Sequence, residues 1–446
     1  MIDSSRRGEV FQYVGYDLDP ARNRLICHYR LDKREFREEI TFPMGGDWDQ
    51  PAVAEAARVV FLLAAVSYYK VAAPPVVDLG DLAVTDTERA FLRDFYICGL
   101  GEYSYKNALD LSDMQIVGPT LDRSASTAFE PESGRPLVPF GGGMDSLVTV
   151  ELVRFRAEDT ALFIVNRPGD RFDAIERSAS LTGFPVVRVE RLIDEQLLRS
   201  TELGFLNGHV PVTGILSVIA VMAATLERRD AVIMSNEWSA SAATMEVAGR
   251  SINHQYSKSD SFEAGLRAVL AEAFGGRPNY FSLLRPFSEL WIARRFAKSP
   301  QYFDHFRSCN RAFYSDRAKR LDHWCGECEK CCFIDLILAP FVDEPALQKV
   351  FDGTEPLSNS GLVGIFGSLL GLSSRSKPWE CVGEVTECRV AAQLAAGRAD
   401  RAGSRVLMEL IGELPSLPGE MTVEELLRPI GRHFVEDRYA PDDLLV

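Results

Sequence analysis

Stretches rich in aromatic and β-branched residues open the chain. Val10–Tyr16, Arg24–Leu31 and Phe36–Phe42 read as strands, and Asp19-Pro-Ala-Arg-Asn23 supplies a turn between the first two. The apolar spacing then becomes helical from Pro51 to Lys70, with Pro51 suited to a first helical turn. Thr85-Asp-Thr-Glu88 has the form of a capping box and starts a second helix that runs to about Ile97. Residues Ser124–Gly134 are small, polar and proline-containing, and read as a linker. From there strands and helices alternate. Leu137–Phe140, Ala161–Val165, Pro185–Val189 and Ala231–Met234 read as strands; Leu147–Arg156, Arg171–Thr182 and Val212–Glu227 read as helices. This predicts an α/β protein with a doubly wound parallel sheet over residues 135–345. An α+β domain precedes it (1–134), and a mainly helical region follows (346–446), where Thr422-Val-Glu-Glu425 is another capping box.

Ligands of such sheets lie beyond the carboxyl ends of the strands. Three stretches fall there: Gly141-Gly-Gly-Met-Asp-Ser146, Asn166-Arg-Pro-Gly169 and Ser235-Asn-Glu-Trp-Ser239. The first is strand, glycine turn and helix start in succession, an arrangement that binds phosphate on free helix-start amides. It is neither a Walker loop nor a dinucleotide fingerprint. The loop from Asn236 to Lys258 is long for a compact domain and carries Glu237, Arg250, Asn253, His254 and Lys258, which points to function.

Composition narrows the classes. The chain has 446 residues, 46% of them apolar, as in soluble globular proteins. Lys+Arg 49 against Asp+Glu 64 gives a net charge of −15, which disfavours general binding to nucleic acid. The polar start of the chain carries no signal-peptide core, and the apolar stretches Val59–Tyr69 and Gly361–Leu372 are too short or too glycine-broken to span a bilayer. A cytoplasmic protein without membrane partners is expected. Nine cysteines in a chain without an export signal favour metal or thiol chemistry over disulfides. Cys325, Cys328 and Cys331 form Cys-x2-Cys-x2-Cys, and Cys309 lies sixteen residues upstream. These four make the best structural zinc set, with Cys332 turned away. His323 or His305 as fourth ligand, an iron–sulfur cluster and unmetallated thiols are the alternatives.

Gly141–Ser146 resembles the pyrophosphate loop of the ATP pyrophosphatase superfamily, usually Ser-Gly-Gly-x-Asp-Ser, with Gly141 in the first serine position. That resemblance implies the corresponding fold, ATP as co-substrate with its phosphates on Gly141, Gly142, Gly143 and Ser146, and magnesium held by Asp145. It also implies adenine at the end of the second strand, near Val165 and Asn166. The cysteine layout is similar to that of 7-cyano-7-deazaguanine synthases, where the site is structural zinc. A narrower resemblance spans nearly the whole chain. His28-Tyr-Arg-Leu31, Glu38-Glu-Ile-Thr-Phe42, Gly99-Leu-Gly-Glu-Tyr-Ser-Tyr105, Asn253-His-Gln-Tyr-Ser-Lys258, Trp324–Phe333 and Lys377-Pro-Trp-Glu-Cys-Val-Gly383 are similar to UDP-N-acetyl-α-D-muramoyl-L-alanyl-L-glutamate epimerases of peptidoglycan synthesis.

The chemistry this implies is coherent. An α-proton beside a free carboxylate is very weakly acidic, because its removal adds a second negative charge. Joining the carboxylate to AMP removes that charge, after which a base and an acid can invert the carbon and water can release AMP. The residue types suggest His254 as the base, with Lys258 and Cys381 as further candidates. Asn236, Glu237, Arg250, Asn253 and Lys258 are the expected substrate contacts for a nucleotide-sugar dipeptide. An ATP-dependent carboxylate-to-amide or nitrile synthase, or a nucleotide-binding regulator without turnover, is the alternative reading.

Overall fold

The computed structural model describes residues 7–247, 249–372, 378–414 and 421–445. Its strands are β1 (Val10–Asp19), β2 (Arg24–Leu31), β3 (Arg34–Thr41), β4 (Val76–Asp78), β5 (Gln115–Val117), β6 (Glu132–Pro139), β7 (Ala161–Asn166), β8 (Val186–Leu192), β9 (Arg229–Met234), β10 (Met245–Val247), β11 (Arg250–Ile252) and β12 (Asn279–Ser282). All but the β10–β11 hairpin join one ten-stranded sheet in the order β12-β9-β6-β7-β8-β3-β2-β1-β4-β5. The five strands from β12 to β8 run parallel. β3, β2 and β1 continue antiparallel from β8, and β4 and β5 close the far edge in parallel. The sheet is therefore mixed and mostly parallel.

Period-two alternation assigns each strand's side chains to two faces. Leu137, Phe163, Val189, Val232 and Tyr280 pack with helices Pro51–Ala64, Val212–Leu226 and Asp260–Phe274. Val138, Leu162, Ile164, Ile233 and Phe281 pack on the other face with helices Met144–Val153, Glu289–Phe296 and Glu329–Leu338. Helices thus cover both faces, as the sequence alternation predicts. The first core also takes in Phe11, Tyr13, Tyr29 and Phe36 from the N-terminal strands, so it runs across the Ser124–Gly134 segment. That segment leads straight into β6.

The seam between β3 and β8 is fixed by a buried ion pair. Arg191 Nε donates to Glu38 Oε1 at 2.7 Å, and the Tyr68 hydroxyl donates to Glu38 Oε2 at 2.8 Å. A buried carboxylate is tolerated when both oxygens are satisfied in this way. Pro51–Tyr69 is a helical stretch of 19 residues that is long and apolar enough to cross a membrane, yet 89% of its apolar window is buried inside the molecule. Its apolarity is explained by the core it fills.

Within the parallel part the order reverses at β6. The connections from β6 lead to β7 and β8 on one side, whereas β9 and β12 lie on the other. The crevice at the carboxyl ends of β6 and β9 is where such sheets bind ligands.

Candidate functional site

The glycine turn after β6 sits at that crevice. Gly142 adopts φ +75°, and a Cβ there would meet the Ala174 carbonyl oxygen at 2.7 Å, so only glycine fits. Arg307 N and the Ser178 hydroxyl donate to the Gly142 carbonyl at 3.1 and 3.3 Å, fixing the turn. Gly143 is the N-cap of helix Met144–Val153 and offers no side-chain acceptor, so the amides of the first turn remain uncapped by a side chain. Gly141 faces open space, where a serine would fit. The Ser146 hydroxyl donates to the Gly143 carbonyl at 3.0 Å and is committed to its own loop. Val165 and Asn166 end the neighbouring strand β7. The Asn166 side chain donates to the Arg167 carbonyl at 2.7 Å and accepts from Arg188 at 2.9 Å, so it is engaged by the protein itself.

Four buried polar atoms in this region have no hydrogen-bond partner among the described residues: Ser235 Oγ, Ser239 Oγ, Ser308 Oγ and Glu289 Oε2. Ser235 and Ser239 follow β9, and Ser308 lies against Gly143. Buried and unpaired, each would cost about 1–3 kcal/mol, which a polar ligand would offset.

Asp145, Glu237 and Glu289 bring carboxylate oxygens within 4.8 Å of one another. Burial, with the neighbouring Glu237 carboxylate, raises Asp145 to about 6, although Lys330 and Lys258 act in the opposite sense. Burial, with Asp145 and Glu237, pushes Glu289 well up. Three hard oxygen donors that repel one another are suited to a divalent cation such as magnesium. Glu237 belongs to this cluster, although the sequence suggested a substrate contact. Glu289, at the start of helix Glu289–Phe296, gives no local signal in the sequence.

Beyond the carboxylates lies a thiol held among positive charges. Lys258 Nζ is 3.2 Å from Cys381 Sγ. His254 Nδ1 makes a short hydrogen bond with Glu102, and the ring and the Cys381 thiol each shift the other's titration. Burial pushes the Cys381 thiol up, but the Lys258 ammonium, the His254 hydrogen bond and Lys330 outweigh it and bring it down to about 6. Burial opposes a charge on His254, yet Cys381 and Glu102 raise it to about 9. Lys258 is likewise opposed by burial and held above its ordinary value by Cys381, Glu237 and Asp145. These shifts favour the thiolate, imidazolium and ammonium forms together. The His209 ring is tilted at 43° against His254 with centroids 4.3 Å apart, and burial together with His254 lowers it to about 4, which favours its neutral form. Trp379 covers His254 edge-on at 6.4 Å and is itself covered by Tyr105 at 5.7 Å.

Arg285 holds both ends of the 236–258 loop. It donates to the Glu237 carbonyl at 2.7 Å and to the Lys258 carbonyl, and pairs with Glu263 at 3.0 Å. Asn253 is turned inward: its amide donates to the Ala240 carbonyl at 2.9 Å and its oxygen accepts from Gln255 N at 2.7 Å. Both bonds shape the loop that carries His254 and Lys258. Asn236 is buried, and its carbonyl accepts from the Ser282 hydroxyl at 2.6 Å. Arg250 is in β11, and its side chain lies outside the described residues, as does Lys377.

Cys309, Cys325, Cys328 and Cys331 place their four sulfurs within 4.8 Å of one another, with 3.6 Å between Cys325 and Cys331 and 3.5 Å between Cys328 and Cys331. Four sulfurs each about 2.3 Å from one zinc would lie about 3.8 Å apart, so the set fits a tetrahedral site. Neither His305 nor His323 joins it; His323 pairs with Asp322 at 2.9 Å. Cys332 is buried in the second core. The same motif carries Lys330, whose ammonium donates to the Cys381 carbonyl. The cysteine cluster thus anchors a charge that faces both the carboxylates and the thiol.

Fold and site together define a mixed α/β protein in which a glycine turn at a helix start, a carboxylate cluster and a thiol among basic groups lie near one another. The chain matches the MurL N-terminal domain over residues 3–283 and the MurL C-terminal domain over residues 305–425. It is 36% identical over 435 residues to the UDP-N-acetyl-alpha-D-muramoyl-L-alanyl-L-glutamate epimerase of Xanthomonas oryzae pv. oryzae, covering 95% of this chain and 94% of that one. Proteins of the same name from Salinispora tropica and a Micromonospora species are also 36% identical, each over 98% of this chain and over 95% and 98% of their own. The chain belongs to the MurL epimerase family.

Proposed function

We propose that this protein inverts the α-carbon of the terminal L-glutamate of UDP-N-acetylmuramoyl-L-alanyl-L-glutamate, in peptidoglycan synthesis, after joining its carboxylate to AMP. The names of its relatives support the substrate and the inversion. The observation that supports activation by ATP is contiguity: Lys258 acts on Asp145 and Glu237 as well as on Cys381, and Lys330 acts on Asp145, Glu289 and Cys381. A triphosphate on the glycine turn would therefore have its α-phosphate within one crevice of the thiol.

In this reading the helix-start amides after Gly143 hold the departing pyrophosphate. Asp145, Glu237 and Glu289 hold magnesium, which when bound neutralises charge on the phosphates. Val165 and Asn166 offer main-chain groups to the adenine. Lys258 and Lys330 orient the two anions, carboxylate and α-phosphate, that must approach each other. Once the carboxylate is esterified, its α-proton is acidic enough for a side chain to remove. Cys309, Cys325, Cys328 and Cys331 hold structural zinc, which stiffens the segment carrying Lys330.

The test is chiral analysis of glutamate released from the nucleotide-sugar dipeptide after incubation with and without magnesium and ATP. D-Glutamate together with equimolar AMP and pyrophosphate is expected with ATP, and neither without it. Conversion that is independent of ATP would refute activation by adenylation. Product that appears only with an added amine would favour the amide synthase.

A further inference from the structure

We propose that Cys381 is the catalytic group that removes the α-proton, with His254 and Glu102 as positioning residues and Lys258 as the counter-charge of its thiolate. The assignment rests on the epimerase reading above and names its base.

Three side chains compete for the role. His254 Nδ1 is already engaged by Glu102, and the charges of Glu102 and Cys381 favour its protonated ring. Lys258 Nζ is 3.2 Å from Cys381 Sγ, and the charges of Cys381, Glu237 and Asp145 favour its ammonium form. Cys381 alone of the three has its partners arranged to remove a proton from it: Lys258 Nζ at 3.2 Å, the His254 ring, and Lys330 from the cysteine-rich motif. Further titratable groups around this cluster are Glu380, which burial raises, His209, which burial and His254 lower, and Lys106, which pairs with Glu102. Glu102 comes from helix Gly101–Lys106, and buried Tyr103 hydrogen-bonds the Lys70 carbonyl at 2.6 Å, so this helix is tied into the first core. The thiolate is thus positioned by elements of both matched regions: Glu102, His254 and Lys258 from the N-terminal one, Cys381 itself and Lys330 from the C-terminal one.

The step balances. The α-carbon–hydrogen bond breaks, a sulfur–hydrogen bond forms at Cys381, and the electron pair moves into the carbonyl of the activated carboxyl. Water supplies, directly or through a second group, the proton that reaches the opposite face, and the thiol returns its own proton to solvent. When the thiolate takes up the proton, His254 keeps its hydrogen bond to Glu102, and Lys258 keeps the opposing charges of Glu237 and Asp145.

The experiment uses the intact protein in heavy water with the nucleotide-sugar dipeptide and magnesium ATP. Pyrophosphate release and α-deuterium incorporation are measured together. Cys381→Ser is expected to release pyrophosphate while incorporating α-deuterium ~10³-fold more slowly than the unaltered protein. Exchange within tenfold of the unaltered rate would overturn the proposal. If the unaltered protein releases no pyrophosphate, the adenylation reading is what fails. The thiol is then judged by its alkylation with iodoacetamide across pH, followed on the Cys381 peptide. A midpoint about two pH units below that of an ordinary thiol, moving upward in His254→Gln, is expected. A midpoint at about 8.5, unmoved by that substitution, would overturn the assignment.

Discussion

Replacing Glu102 with glutamine removes one of the two anions that hold His254 charged and leaves its neutral ring form favoured by burial. The His254 side chain is 12% exposed and that of Glu102 5%, so little solvent screens the pair. His254 is raised from 6.5 to about 9, which corresponds to about 3 kcal/mol in favour of the imidazolium. Cys381 and Glu102 share this, so the Glu102→Gln variant should titrate His254 at least about one unit lower, a change of roughly 1.4 kcal/mol. The sign follows from linkage. A histidine whose folded value is raised contributes stability that is complete below about 6.5 and is lost as pH rises through about 9. Glu102 is lowered to about 2 despite burial, by His254 and Lys106, so its own contribution is present above about 4.5. The difference between the two proteins should therefore be greatest between about pH 4.5 and 6.5 and fade towards pH 9. For a chain of this size, 1.4–3 kcal/mol corresponds to a fall in Tm of roughly 2–3 °C. Ring-labelled histidine followed by NMR from pH 5.5 to 10, with melting curves at pH 6 and pH 9.5, measures both effects. A His254 that titrates near 6.5 in the unaltered protein, or equally in both proteins, would refute the reasoning.

Further outcomes follow from other parts of the site. Asp145→Asn and Glu289→Gln should each lower substrate-dependent pyrophosphate release by ~10³-fold, read with a coupled pyrophosphate assay, and more than a tenth of normal turnover in either would count against the carboxylate cluster. Gly142→Ala would place a methyl group 2.7 Å from the Ala174 oxygen at φ +75° and should cost about 2 kcal/mol with loss of ATP binding, whereas Gly141→Ser meets open space and should leave both melting and ATP affinity near normal. Elemental analysis of protein purified without added metal should give close to one zinc per chain, and Cys331→Ser should abolish it and lower Tm; iron, or full stability without metal, would contradict the zinc site.

Much of the parallel sheet was legible because its signals are local. The glycine turn, the Thr85 and Thr422 capping boxes and the strand–helix alternation each depend on neighbours in sequence, and the structure contains them. Strands of three or four residues, β4, β5 and β12, carry too short a pattern to be read. The extension of the sheet through β3 and β8 depends on pairing Glu39 with Leu192, a contact between residues far apart in the chain. The site divides in the same way. Asp145, His254 and Lys258 stand in conspicuous stretches, and the cysteine cluster has ligand spacing. Glu102, His209 and Glu289 carry no chemical signal of their own, and Lys330 is marked only by its place between Cys328 and Cys331; only the fold brings the four together. Asn253 shows the converse: a polar residue in a functional loop whose side chain, by bonding the amide two residues on, builds the turn.

The central claim is that the glutamate carboxylate is joined to the α-phosphorus of ATP. Substrate labelled with oxygen-18 in both carboxylate oxygens of the reacting carboxyl, incubated with the protein, magnesium and ATP, tests it by mass spectrometry of the nucleotide product. Attack by carboxylate on phosphorus, followed by water opening the acyl carbon, carries one labelled oxygen into AMP, and AMP heavier by one oxygen-18 is the predicted result. AMP with no label, or ADP in its place, would contradict the account.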